Sequence, residues 1–223
     1  MLARDEEAAV RLGVFQSVGA QLLPPALAQA VRARPDLRVH LVAARRPSEA
    51  FALLRNGTVD LAFTEEPAAD DSLSSLVLLH DPYVILARAG DARALGSIVS
   101  IDQLARLPLL TYETCTHLLR VEQALARLRT VLNPVVRSDD APTLHGLVAS
   151  GVGYALLPRL AINTGDSRVI AVPVDPRIPH RTVCLAWHRE RGVTASMRVI
   201  LAASKQVAHE LQRARIASRD VDR

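Results

Sequence analysis

Short apolar runs alternate with stretches whose apolar residues recur every three or four positions. Residues 12–15 (LGVF), 37–43 and 59–63 have the length and composition of buried strands. Between the first two, Leu22, Leu23, Leu27, Ala30 and Val31 mark a helix over roughly residues 18–33, broken or restarted at Pro24–Pro25. Ser17 is expected to cap it through its hydroxyl. A second helix starts at Arg45-Arg46-Pro47-Ser48-Glu49, with an early proline and an acid in its first turn. It carries Phe51, Leu53 and Leu54 and stops at Asn56–Gly57. Strand–helix–strand–helix–strand predicts a parallel sheet. Two more short strands follow, around residues 73–79 and 83–87.

The pattern resets in the polar loop 88–95, and a second α/β unit begins. It reads as a short helix at 101–106, a strand at 107–112, a helix at 117–132 and a strand at 135–138. Asp139–Pro142 caps a helix at 143–150; Gly151 ends it, and 153–157 is a buried strand closed by Pro158. Residues 168–173 and 182–187 read as strands. A final helix over 194–213 lines Ile200, Ala203, Val207 and Leu211 on one face.

Composition narrows the class. With 49% hydrophobic residues in 223, the chain can bury a substantial core; with only 3% aromatics, it lacks the stacking platforms of single-stranded nucleic-acid binders. The net charge of +4 comes from scattered arginines, Lys205 being the only lysine, so it marks no phosphate-binding stripe. Two cysteines, Cys115 and Cys184, make no disulfide framework. The first residues are charged where a signal peptide would be apolar, and no run approaches membrane-spanning length, so a cytoplasmic protein without membrane contact is expected. The seven histidines show no metal-ligand spacing, and neither metal nor cofactor is expected.

Several segments then resemble one family. LGVFQSVGAQLLPPAL is similar to the opening of the effector-binding domain of LysR-type transcriptional regulators. LLRNGTVDLAF (53–63), YVILAR (83–88), the helix-to-strand segment 104–112 and LHGLVASGVGYALLP (144–158) follow in the family's order. The resemblance implies an α/β fold of two Rossmann-like lobes joined by a two-strand hinge, the type 2 periplasmic-binding-protein fold. Lobe I would comprise residues 10–87 and 187–215, lobe II residues 88–186, with a linker remnant at 1–9 and a tail at 216–223. It also implies a small-molecule effector in the interlobe cleft and a homodimer or tetramer. DNA would be bound only through an N-terminal winged helix-turn-helix that is not in this sequence.

In such a fold the loops after the strands meet at the cleft. Gln16, Ser17, Val18, Arg46, Ser48, Thr64, Thr114, Cys115, Thr116 and Asp140 are therefore the expected ligand-binding residues. Helix N-termini and hydroxyls there favour a small anion. By similarity, Ser17 sits where family members hydrogen-bond the effector. Glu65 and Glu66 would oppose an anion or welcome a cation. Cys115, just ahead of a helix, is the one reactive-looking thiol, with Cys184 as a conceivable redox partner. His145 in an apolar helix reads as a packed or capping histidine. No enzyme is expected; the alternatives are a solute-binding protein of a transporter or a dehydratase-like enzyme on the same fold. The latter would draw its acid–base pair from Glu65, Glu66, Asp139, Asp140 and His117.

Overall fold

The computed structural model describes residues 9–221. The linker expected at 1–9 lies, but for Ala9, outside the described residues. The chain divides into two compact units: residues up to Leu79 with Thr182 onward, and His80–Arg181.

The first unit is built on a sheet of order β2-β1-β3-β10-β4. Strand β1 (Val10–Val14) runs parallel to β2 (Val39–Ala43) and β3 (Leu61–Thr64), while β10 (Arg181–His188) runs antiparallel to β3. Strand β4 (Leu73–Asp81) closes the far edge. The paired prolines divide the first helix as the sequence suggests, into α1 (Gln16–Gln21) and α2 (Leu23–Ala33). Helix α2 buries Leu23, Ala26 and Ala30 against α7 (Ala195–Val221), whose Ile200, Ala203 and Val207 are buried. Small residues on both faces let the backbones approach.

Helix α3 (Pro47–Arg55) has Pro47 in its first turn, Glu49 just behind it and Arg55 in its last turn. Gly57 ends it in the left-handed region at φ 75°. Arg191 closes the same end, donating from its guanidinium to the carbonyls of Leu54 and Arg55 at 2.6 Å each. At the other edge of the unit, Arg11 grips Asp60 at 2.6 Å and fastens β1 to the segment entering β3.

The second unit repeats the plan with sheet order β7-β6-β8-β5-β9. Strand β6 (Leu109–Thr111) runs parallel to β7 (Pro134–Arg137) and β8 (Tyr154–Pro158). Strand β5 (Tyr83–Arg88) is antiparallel to β8 and to β9 (Val169–Pro173). Helices α4 (Ile101–Leu104), α5 (Thr116–Arg127) and α6 (Ala141–Ala149) complete it. Ser100 and Gln103 form a reciprocal capping box on α4. Two 3₁₀ turns, Ala92–Leu95 and Arg159–Ala161, stand where the sequence reads as loop.

Strand pairing places the division differently from the expected 87/88 and 186/187 boundaries. Strand β5, expected in lobe I, lies between β8 and β9, and most of β10 lies in the first sheet beside β3. An apolar run announces a strand but not its neighbour, because pairing is settled by distant residues. At the entry to the second unit Asp81 and Arg181, 0% and 2% exposed, form a buried ion pair. Arg181 donates from Nε at 2.9 Å and Nη2 lies 2.8 Å from the same oxygen; the Leu160 amide donates to the carboxylate at 3.1 Å.

Candidate functional site

Parallel strands leave their C-terminal ends facing loops and helix starts, and each unit gathers expected site residues there. In the first unit the ends of β1, β2 and β3 bring Phe15, Ala44, Arg45, Arg46, Pro47, Phe63, Thr64 and Glu65 around one narrow crevice. Of the expected residues, Arg46 and Thr64 line it. Phe15, Ala44, Pro47 and Phe63 are buried and form an apolar floor; Arg45 and Arg46 are exposed at the rim.

The residues of α1 take different parts. The helix begins at Gln16 with Phe15 in the N-cap position, so Ser17 does not cap it as expected; Ser17 is buried one position inside the first turn. The turn closes early because the Phe15 carbonyl accepts from the Gly19 amide at 3.0 Å. Gln16 is exposed, and Val18 packs into the core at 0% exposure, leaving only its backbone for any ligand. The missing Cβ of Gly19 is a packing feature, since one there would meet Val14 at 3.3 Å.

At the start of α3, Arg46 is the N-cap and Ser48 is exposed. Glu49 turns back to accept from the Arg45 amide at 2.8 Å, which fixes the loop that presents both guanidinium groups. Thr64 is buried, and its hydroxyl donates to the Glu66 carbonyl at 2.7 Å, holding the turn after β3. Its cross-strand partner is Cys184. Burial, and next the Glu66 charge, push the Cys184 thiol up to about 12, with the Thr64 hydroxyl pulling weakly the other way. A thiol held neutral in this way is a poor nucleophile.

In the second unit the loops after β6 and β7 are tied to each other. Asp139 accepts from the Glu113 and Thr114 amides at 3.0 and 2.9 Å, and the Thr114 hydroxyl donates to its other oxygen. Asp140 caps α6, accepting from the Thr143 amide at 3.0 Å and hydroxyl at 2.5 Å. Cys115, half-buried, is the N-cap of α5. Thr116 opens that helix, and its side chain lies outside the described residues. Cys115 and Cys184 belong to different units. His145 is buried in α6 with Nδ1 3.7 Å from Asp166, the packed role expected of it.

Carboxylates thus occupy amide donors that a bound anion would want at the second unit's strand ends. Arg45, Glu65 and Asp139, which the sequence places in strand-end loops without counting them among the ten expected ligand-binding residues, stand with those residues in the structure. Their signal is positional: Glu65 directly follows β3, and Arg45 and Asp139 lie in the short loops between a strand end and the next helix start. A cavity of about 220 Å³ lies elsewhere in the second unit, at the end where β6 and β7 begin. Ser100, Asp102, Thr130 and Arg177 line it, and Arg177 is already held by Asp175 at 2.7 Å. Among the described residues no three His, Cys, Asp or Glu side chains gather as a metal site, and no helix is long and apolar enough to cross a membrane.

Comparison with known proteins agrees with this architecture. The family model described as the LysR substrate binding domain matches residues 3–209. An uncharacterized HTH-type transcriptional regulator, YfeR of Shigella flexneri, is 27% identical over 190 residues, covering 84% of this chain and 61% of that protein. The probable HTH-type transcriptional regulator LrrA of Synechococcus elongatus is 29% identical over 200 residues, 89% of this chain and 62% of the relative. The chain therefore spans about three-fifths of the length of these curated relatives. Among solved structures, the cofactor-binding domain of the Cbl transcriptional regulator superposes with a TM-score of 0.79 at 20% identity, covering 96% of both chains. At that identity the likeness establishes the fold, the two-unit α/β architecture of type 2 periplasmic binding proteins.

Proposed function

The chain belongs to the LysR substrate-binding domain family, and from that premise we propose that it senses a small acid-bearing effector and relays its binding to an attached DNA-binding module. The observation that carries the ligand chemistry is the crevice at the strand ends of the first unit. Two adjacent guanidinium groups, Arg45 and Arg46, stand there over an apolar floor at the start of α3. Arginine forks suit carboxylate and phosphate, and the helix start adds a favourable dipole. Gln16, Ser17, Ser48 and Thr64 lie at the strand ends and helix starts of the first unit, and Thr114, Cys115, Thr116 and Asp140 hold the corresponding positions in the second; they are the contacts this reading assigns to the effector.

Relay requires that the effector bind two arrangements of the protein unequally, since a ligand shifts an equilibrium only through differential affinity. The acidic residues at the strand ends support binding over catalysis: Asp139 fastens a loop and Asp140 caps a helix. A general acid or base would have to give up those bonds to reach a substrate. The whole regulator would work in the cytoplasm, where its DNA is.

We read the assembled protein as a homodimer or tetramer. Edge strand β2 exposes Leu41 and α2 exposes Val31, while edge strand β7 exposes Val135 and α5 exposes Leu119. An edge strand with an apolar helix beside it, present in both units, is material for a two-fold interface. Light scattering reporting a monomer at high micromolar concentration would overturn that assembly.

The effector reading is tested by thermal shift with small carboxylates and phosphate esters. A ligand at a hundred times its Kd stabilises by about 2.7 kcal/mol, or roughly 10 °C for a unit of this size. Arg46→Gln should abolish the shift; a ligand-induced shift unchanged by Arg46→Gln and Arg45→Gln would place the acid elsewhere.

A further inference from the structure

We propose that the buried Asp81–Arg181 pair is a latch that fastens the chain's two crossings to each other and to the second unit, so that they turn as one piece. This rests on the preceding reading that effector binding is relayed through a change of arrangement. The chain leaves the first unit after Leu79 and returns to it at Thr182. Asp81 is the last residue of β4 and Arg181 the first of β10, and those strands are neighbours in the first sheet. The two crossings therefore run side by side, and the pair stands where both enter the second unit.

The first crossing is tied to the second unit's own framework. Asp81 accepts from the Leu160 amide, and the next residue, Pro82, offers its carbonyl to the Arg159 amide at 2.9 Å. Arg159 and Leu160 open the 3₁₀ turn that directly follows β8, an interior strand of the second sheet. The second crossing is held through the first, because Arg181 reaches one oxygen of Asp81 with both Nε and Nη2. A carboxylate already fixed by a backbone amide carries its arginine with it.

Stability alone does not account for this arrangement. A buried ion pair is often no more stabilising than apolar side chains of similar volume. What the pair adds is a fixed register. Hydrogen bonds to a carboxylate are directional, whereas apolar contacts allow sliding, and a slip of one residue would turn the side chains of β4 or β10 to the opposite face. With residues 81 and 181 joined, neither crossing can shift along the other, and bending together is the motion left to them.

The test compares the full chain with the apolar pair Asp81→Leu, Arg181→Met by hydrogen exchange and by spin-label distances. In the parent, the Arg159 and Leu160 amides should exchange as slowly as those of the β5–β8 ladder, opening only when the second unit unfolds. In the apolar pair they should exchange at least about tenfold faster while the ladder is unchanged. Labels at the exposed positions of Ala52→Cys and Ala94→Cys, in a Cys115→Ser background diluted with unlabelled protein, should give a broader distance distribution in the apolar pair than in the parent. If the apolar pair does not fold, Asp81→Asn takes its place with the same expectations. Local opening at Leu160 in the parent, or unchanged exchange in the variant, overturns the latch. Faster exchange with an unchanged distance distribution overturns it too, since the pair would then serve packing alone. Neither measurement uses an effector, so a failure of the effector reading shows separately, in the thermal-shift screen.

Discussion

Replacing Asp81 by alanine should cost the second unit more stability than any other single change at its surface or strand ends. The carboxylate is wholly buried and serves two partners, the Arg181 guanidinium at 2.8–2.9 Å and the Leu160 amide at 3.1 Å. Removing it strands a buried charge, which costs about 3–5 kcal/mol, and a buried amide, which costs about 1–3 kcal/mol. The two losses share one site and do not simply add, so about 4–6 kcal/mol is expected. For a unit of about a hundred residues this lowers the thermal midpoint by more than about 15 °C. Asp81→Leu combined with Arg181→Met removes both charges at once and should recover most of the loss, because apolar replacements of a buried pair are often neutral. Urea unfolding followed by circular dichroism measures all three chains. Fluorescence of Trp187, the only tryptophan and a residue of the first unit, reports whether that unit unfolds separately. A cost below about 1 kcal/mol for Asp81→Ala, or strict additivity in the double variant, would refute the buried-pair account.

Gly153→Ala should destabilise by roughly 1–3 kcal/mol, because a Cβ there would sit 2.3 Å from the Pro108 carbonyl oxygen and 2.8 Å from Leu110 Cδ1. Gly146→Ala, inside α6 with open space around it, should instead stabilise by roughly 0.5–1 kcal/mol; chemical denaturation separates the pair, and equal signs would be wrong. Native protein should react with about one equivalent of an aromatic disulfide reagent, lost in Cys115→Ser, because Cys184 is buried and its thiol is held near 12; two fast equivalents would contradict that burial. In acid, Arg168 holds Asp166 and Arg177 holds Asp175 at a pKa of about 2. A depressed carboxylate stabilises above its ordinary pKa of about 3.9, and that contribution disappears as pH falls from about 4 to about 2. Thermal midpoints across that range should fall less steeply in Asp166→Asn than in the parent, and parallel curves would show that the pair contributes nothing.

Much of the fold is written locally. Each strand and α-helix read from the hydrophobic pattern exists, with ends displaced by only a few residues, except that α5 stops at Arg127, five residues short of expectation, and α7 continues to Val221. The reason is that periods of two and near four are properties of neighbouring residues, as are the Pro47 start of α3 and the Gly57 stop. The order of motifs from LGVF to YALLP was likewise sufficient to point to the family that the comparison establishes.

Contacts across long separations decided the rest. Nothing in YVILAR says that β5 pairs with β8 and β9, and nothing near Asp81 announces Arg181 a hundred residues later. Ser17 has the right chemistry for a cap, but the helix begins two residues too early for it, with Phe15 in the N-cap position. Asp139 and Asp140 looked alike in sequence, yet one locks a neighbouring loop and the other caps its own helix. Local pattern biases the backbone dihedrals of each segment. Which buried charge meets which, and which polar groups remain for a ligand, follows only once distant segments compete for the same hydrogen bonds.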